Sequence, residues 1–80
     1  MAVEELTTPG RRVRWLRVSQ DKTQELLAGK ATVTQASISQ IERDLFIPRL
    51  AIRRLIAEEL GVHPDFIWRP EDLAERSRVA

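Results

Sequence analysis

Ile52, Leu55, Ile56 and Leu60 recur at intervals of three and four and stop at Gly61. That spacing puts one apolar stripe on a helix, and glycine just past its end is a common helix stop. Nowhere in the chain do four or more residues alternate cleanly between apolar and polar, as a half-buried strand requires. A sheet is therefore excluded as the organising element. The chain is expected to be all-α, a compact bundle of four to five short helices.

The same reading places the other elements. Residues 1–9 read as a loose N-terminal arm ending at Pro9-Gly10. Arg11 to Val18 reads as a first helix, with Val13 and Leu16 inward, and Ser19 to Lys22 as a turn. Thr23 suits the N-cap of a second helix running to about Ala31, with Leu27, Ala28 and Ala31 on one face. Thr34 suits the cap of a third, with Ile38 and Ile41 inward. Val33 before that cap and Ile38 at the fourth helical position have the spacing of a hydrophobic staple. Pro48 suits the first turn of a fourth helix ending at Leu60. Pro64 and Pro70 each stand where a short helix can begin. Glu71 and Asp72 at one end, with Arg76 and Arg78 at the other, match the helix dipole.

Eighty residues make one domain. The expected division is an arm over 1–9, a core domain over 10–68, and a tail or short helix over 69–80 with a candidate dimerisation role. Thirteen Lys/Arg against twelve Asp/Glu leave a net charge of +1, which neither requires nor excludes a polyanionic partner. Five of the cations (Arg11, Arg12, Arg14, Arg17 and Lys22) fall within residues 11–22, beside a single acid, Asp21. They form either a solubilising face or a phosphate-facing one. The absence of cysteine excludes disulfides and thiolate metal sites. No apolar run reaches the roughly 20 residues of a membrane span, and MAVEELTTPGRR has no hydrophobic signal core. A soluble cytoplasmic protein is expected, without membrane association.

Catalysis finds no support. His63 is the single histidine and precedes a proline, the place of a helix start rather than a metal ligand. Glu58 and Glu59 are adjacent, so a helix points them to different sides. There is no nucleophile constellation, phosphate loop or metal spacing. Neither an enzyme nor a cofactor is expected.

The stretch VTQASISQIERD, residues 33–44, carries the functional signal. Opposite Ile38 and Ile41 it sets glutamines, serines and a threonine where a merely solvated face would carry charge. Around it, Gly10, Val13, Leu16 and Arg17 are followed by Thr23-Gln24-Glu25-x-Leu27-Ala28. Then come Val33-Thr34, Ile38-Ser39-x-Ile41-Glu42-Arg43, Pro48, and Ile56-Ala57-x-x-Leu60-Gly61-Val62. This ordered set, over roughly residues 10–68, strongly resembles the Xre family of helix-turn-helix domains, the phage lambda-type repressor and Cro-like DNA-binding proteins.

The resemblance implies a lambda repressor-like fold and a sequence-specific regulator of transcription that binds double-stranded DNA through a recognition helix near 34–43. A glutamine amide matches the acceptor and donor of adenine in the major groove, and a methyl group can meet thymine. Gln35 and Ala36 are so placed. Thr34, Ser37, Ser39 and Gln40 can bond bases or phosphates. Gln24 and Arg43 are implied phosphate contacts, and Arg17 with Glu42 a structural ion pair. Two glutamines and no arginine on the reading face lean towards A·T pairs.

Some positions depart from the pattern. Thr32 replaces a usual turn glycine, at a cost of about 1–2 kcal/mol if its φ is positive. Asp44 replaces another glycine, with a residue that tolerates that backbone better. Lys22 stands where leucine usually packs. Leu26 stands where glutamate would complete a capping box with Thr23.

Apolar residues at Phe46 in a loop, and at Phe66, Ile67, Trp68 and Leu73 near the C-terminal end, are candidate dimer-interface residues. A homodimer on an inverted-repeat operator, acting as a repressor, is the leading expectation. An activator touching RNA polymerase fits the residues as well. The alternatives are an antitoxin of this fold with a toxin on its C-terminal apolar surface, and a protein-interaction module of this fold that does not bind DNA.

Overall fold

Three threonines start three helices. In the computed structural model, which describes residues 6–79 and side-chain environments to residue 74, α1 spans Pro9–Ser19, α2 Gln24–Ala31 and α3 Gln35–Glu42. The hydroxyls of Thr8, Thr23 and Thr34 accept the N–H groups of Arg11, Leu26 and Ser37, satisfying donors that the helices cannot pair internally. α4 spans Leu50–Leu60, α5 Pro64–Ile67 and α6 Pro70–Val79. The short segments expected after Pro64 and Pro70 are thus both helical, making six helices and no strand among the described residues. Residues 1–5 of the expected arm, and the side chains of Arg76 and Arg78, lie outside what is described.

The helix ends share one device. Asp21, Thr32, Asp44 and Gly61 all have positive φ, between 57° and 74°. After each, the next N–H reaches back to a carbonyl five residues earlier: Lys22 to Arg17, Val33 to Ala28, Leu45 to Gln40 and Val62 to Ala57. These are Schellman turns. Only one uses glycine. Thr32 therefore takes the left-handed backbone that its resemblance to the family raised as a question, at φ 60° and ψ 37°. The β-branched side chain bears the strain of that conformation.

Two boundaries differ from the sequence reading. α1 begins at Pro9, because proline suits the first helical position and Thr8 supplies the cap. Pro9-Gly10 is thus the first turn of a helix rather than the end of an arm. α4 begins only at Leu50, with Arg49 as an N-cap that makes no side-chain capping bond. Pro48 lies buried in the preceding connection.

The core joins α1, α2, α3, α4 and α5. Val13, Leu27, Ala31, Ile38, Ile56, Ala57 and Ile67 are fully enclosed, with Leu16, Ala28, Ile41, Ile52 and Leu60 around them. α3 packs on α1 and α2, α2 also on α4, and α5 closes the far side against α4 and α1. Trp68 is 1% exposed and Ile67 is 0% exposed. Both belong to this core, so they are not the surface residues that a dimer interface needs. Three further expected interface residues lie elsewhere: Phe46 and Phe66 are exposed, and Leu73 is half-buried against the core.

Arg12 is also a correction. It is 3% exposed, not part of a cationic surface. Its guanidinium donates to the carbonyls of Leu6 and Ile67 and to the carboxylate of Asp72, at 2.9, 2.7 and 2.9 Å. It ties α1 to the end of α5 and the start of α6. Lys22, where leucine was expected to pack, instead reaches across to Glu59, pairing with its carboxylate at 3.0 Å.

Candidate nucleic-acid interface

α3 divides cleanly by face. Ile38, Ile41 and Glu42 point inward and are buried. Gln35, Ala36, Gln40 and Arg43 are exposed, and Ser39 is half-buried beside them. Positions 35, 36, 39, 40 and 43 follow the i, i+1, i+4, i+5, i+8 spacing of one helix face. The sequence fixes this division, since the two isoleucines can bury only if the polar positions turn outward. Apart from Arg43 at its end, the exposed face carries no charge.

The first turn of α3 is held at its hydroxyls. Thr34 Oγ1 accepts the Ser37 N–H at 3.1 Å and lies 3.0 Å from the Ser37 hydroxyl. Thr34 is exposed and Ser37 half-buried. Both are oriented by this pair rather than free to rotate. Gln35 and Ala36 stand immediately beside it at the exposed N-terminal end of the helix.

Behind the face sits a shared carboxylate. Glu42 is 6% exposed. Its Oε2 accepts Arg17 Nε at 2.7 Å, and its Oε1 accepts Arg17 Nη2 at 3.1 Å and Gln24 Nε2 at 3.0 Å. Arg17 spends its remaining Nη1 on the Lys22 carbonyl, at 2.9 Å. A buried carboxylate must have its lone pairs filled, and this one receives three donors from two other helices. The result locks the end of α3 to α1 and to the first residue of α2. Gln24 is half-buried and its amide nitrogen faces Glu42.

A second carboxylate holds the same helix end. Asp44 Oδ2 accepts the Thr8 hydroxyl at 2.6 Å, and Oδ1 accepts the Gly10 N–H at 2.8 Å. A side chain in place of the Gly10 hydrogen would meet the carbonyl oxygens of Ile41 and Glu42. Glycine is required there by closeness, not by φ.

Sequence reasoning did not single out Arg49. It is exposed and borders a groove shared with Thr32, Val33, Ser37 and Phe46, next to the first turn of α3. Its only sequence signal was a cation just after Pro48. Arg11 and Arg14 remain exposed on α1. Among the described residues no cluster of His, Cys, Asp or Glu could hold a metal ion, and no helix is long and apolar enough to cross a membrane.

Comparison with known proteins agrees with this architecture. A helix-turn-helix family model matches residues 13–67. The chain is also 31% identical, over 72 residues, to an immunity repressor protein of Bacillus phage phi105. That match covers 90% of this chain but 50% of the relative, so the chain spans about half the length of the repressor it resembles. With the capped α2, the left-handed turn at Thr32 and the polar-faced α3 inside the matched span, the chain belongs to the helix-turn-helix family of Cro/C1-type DNA-binding domains.

Proposed function

We propose that this protein binds a double-stranded DNA operator through α3 and regulates transcription, most simply as a repressor that covers a promoter. One observation carries the reading: an uncharged, hydrogen-bonding face at positions 35, 36, 39 and 40, exposed on a helix braced from behind by Arg17, Gln24 and Glu42. The likeness to a phage immunity repressor supports repression.

Gln35 and Gln40 are the base-reading side chains in this account. Five residues of helix separate them by about 7.5 Å along the axis, close to two base-pair steps. Each amide can pair with the N6 and N7 groups of adenine. Ala36 meets a thymine methyl, and Ser39 bonds a base or a phosphate. Thr34 and Ser37, with the N-terminus of α3, face the phosphate backbone. Arg43 and Arg49, with the Gln24 amide hydrogen that is not given to Glu42, contact phosphates on either side, fixing the register in which bases are read. Two copies on an inverted repeat place two α3 helices about one DNA turn apart.

The test is duplex binding by fluorescence anisotropy across a salt series. The logarithm of the association constant falls by about 0.9 per neutralised phosphate for each tenfold rise in salt. A steep slope that shallows on Arg43→Ala and on Arg49→Ala is expected. A flat salt response, or no binding at low salt, would contradict DNA binding and favour a protein-interaction module.

A further inference from the structure

The outer face of α4 is complementary in charge to its own reverse. Leu50, Arg54 and Glu58 form one ridge at intervals of four, all exposed, and beyond the helix stop Val62 lines the same groove with His63 and Pro64. The order is apolar, cation, anion, apolar. We propose that this ridge pairs with the same ridge of a second copy of the chain, antiparallel about a two-fold axis at the level of residue 56. This deepens the dimer in the proposed function and rests on that reading.

The arithmetic of the axis selects the contacts. In an isologous pair residue i meets j and j meets i. An axis level with Ile56 sets Arg54 opposite Glu58 of the other copy, twice over. It brings Leu50, which is 47% exposed, to the end of the other copy's groove lined by Val62, His63 and Pro64. Ile56 itself is buried on the opposite side of α4, so it leaves the outer face to this ridge. Ridges at i±4 are those that interdigitate in the commonest helix–helix packing.

Within one chain the ridge charges are poorly used. Arg54 precedes Glu58, the weaker orientation for an i, i+4 pair on a helix. Among the described residues, the ion pairs of the structure engage neither one. Both are therefore available to a partner whose charge order runs the other way, and a second α4 in antiparallel orientation supplies that order.

The test is charge reversal, read by sedimentation equilibrium without DNA over micromolar to millimolar protein. Arg54→Glu sets like charges face to face at two symmetric points, and so does Glu58→Arg. Each is expected to weaken dimerisation about tenfold. Mixed in equal amounts, the two variants become complementary and should recover the parent's affinity as a heterodimer. The double variant R54E/E58R should recover it as a homodimer. Circular dichroism melts at concentrations where every protein is monomeric should be unchanged, since both positions are exposed on the single chain. A monomeric parent, or single variants that dimerise like the parent, would overturn the proposal. Failure to recover in the mixture would also overturn it. Duplex binding is scored separately, so recovery of dimers by a protein that binds no DNA would contradict only the functional reading.

Discussion

The carboxylate of Asp44, just past the end of α3, caps the first turn of α1 by accepting the Gly10 N–H at 2.8 Å. The same residue sits at φ 62° and closes α3 with a Schellman turn. One residue thus ends one helix with its backbone and holds the start of another with its side chain, and Gly10 lets their backbones meet.

Gly10→Ala is expected to destabilise the fold by about 3 kcal/mol, because a Cβ would stand 2.5 Å from the Ile41 carbonyl oxygen and 2.6 Å from that of Glu42, both backbone atoms. Urea titration followed by circular dichroism measures it. A loss below about 1 kcal/mol would mean that α1 and α3 separate easily.

The Arg17–Glu42 pair makes a prediction of its own. Arg17→Met strands a carboxylate of 3% side-chain exposure with one remaining donor, Gln24. A loss of about 3 kcal/mol is expected. Replacing both residues, Arg17→Met with Glu42→Met, should cost less than the two single changes added together. A double-mutant cycle with no coupling would contradict the bracing role.

Thr32 predicts a gain. Its left-handed backbone costs a β-branched residue about 1–2 kcal/mol, which glycine would not incur. Thr32→Gly should therefore stabilise the domain by about 1 kcal/mol, raising Tm by about 4–8 °C. A lowered Tm would show that the Thr32 hydroxyl, which donates to the Ala31 carbonyl at 2.6 Å, outweighs the strain.

Arg12 is the cation whose loss should be felt in stability rather than in DNA affinity. Arg12→Ala removes the guanidinium donors to the carbonyls of Leu6 and Ile67 and leaves the Asp72 carboxylate with the Arg69 N–H. A loss of about 3 kcal/mol is expected, with hydrogen exchange accelerating first in α6. Arg14→Ala, at an exposed position, should change stability by less than about 0.5 kcal/mol. Equal effects at Arg12 and Arg14 would contradict the burial of Arg12.

What the sequence made legible is what local chemistry decides. Thr23, Thr34 and Gly61 mark helix ends by their own hydrogen bonds and backbone preferences, and α2 and the end of α4 lie where these residues put them. Ile38 and Ile41 divide α3 by periodicity alone. Contacts between distant segments were not legible. Arg12 is buried because carbonyls of Leu6 and Ile67 converge on it, which no nearby residue reveals. Ile67 and Trp68 follow Phe66 in an apolar run too short to show a period, so nothing local separates the exposed ring from the two enclosed side chains. Pro9-Gly10 misled for a related reason. The pair signals a break, but the glycine answers to α3, 30 residues and more further on.

The central claim is that the exposed face of α3 reads base pairs, and selection of bound duplexes from a random library, with Gln35→Ala beside the parent, tests it most directly. The parent should enrich an inverted repeat with A·T pairs at the contacted positions, and the variant should lose preference at one position in each half-site, by about 1–3 kcal/mol of discrimination. Enrichment of the same motif by both proteins, with preference at every position unchanged, would contradict the assignment of Gln35 as a reading residue.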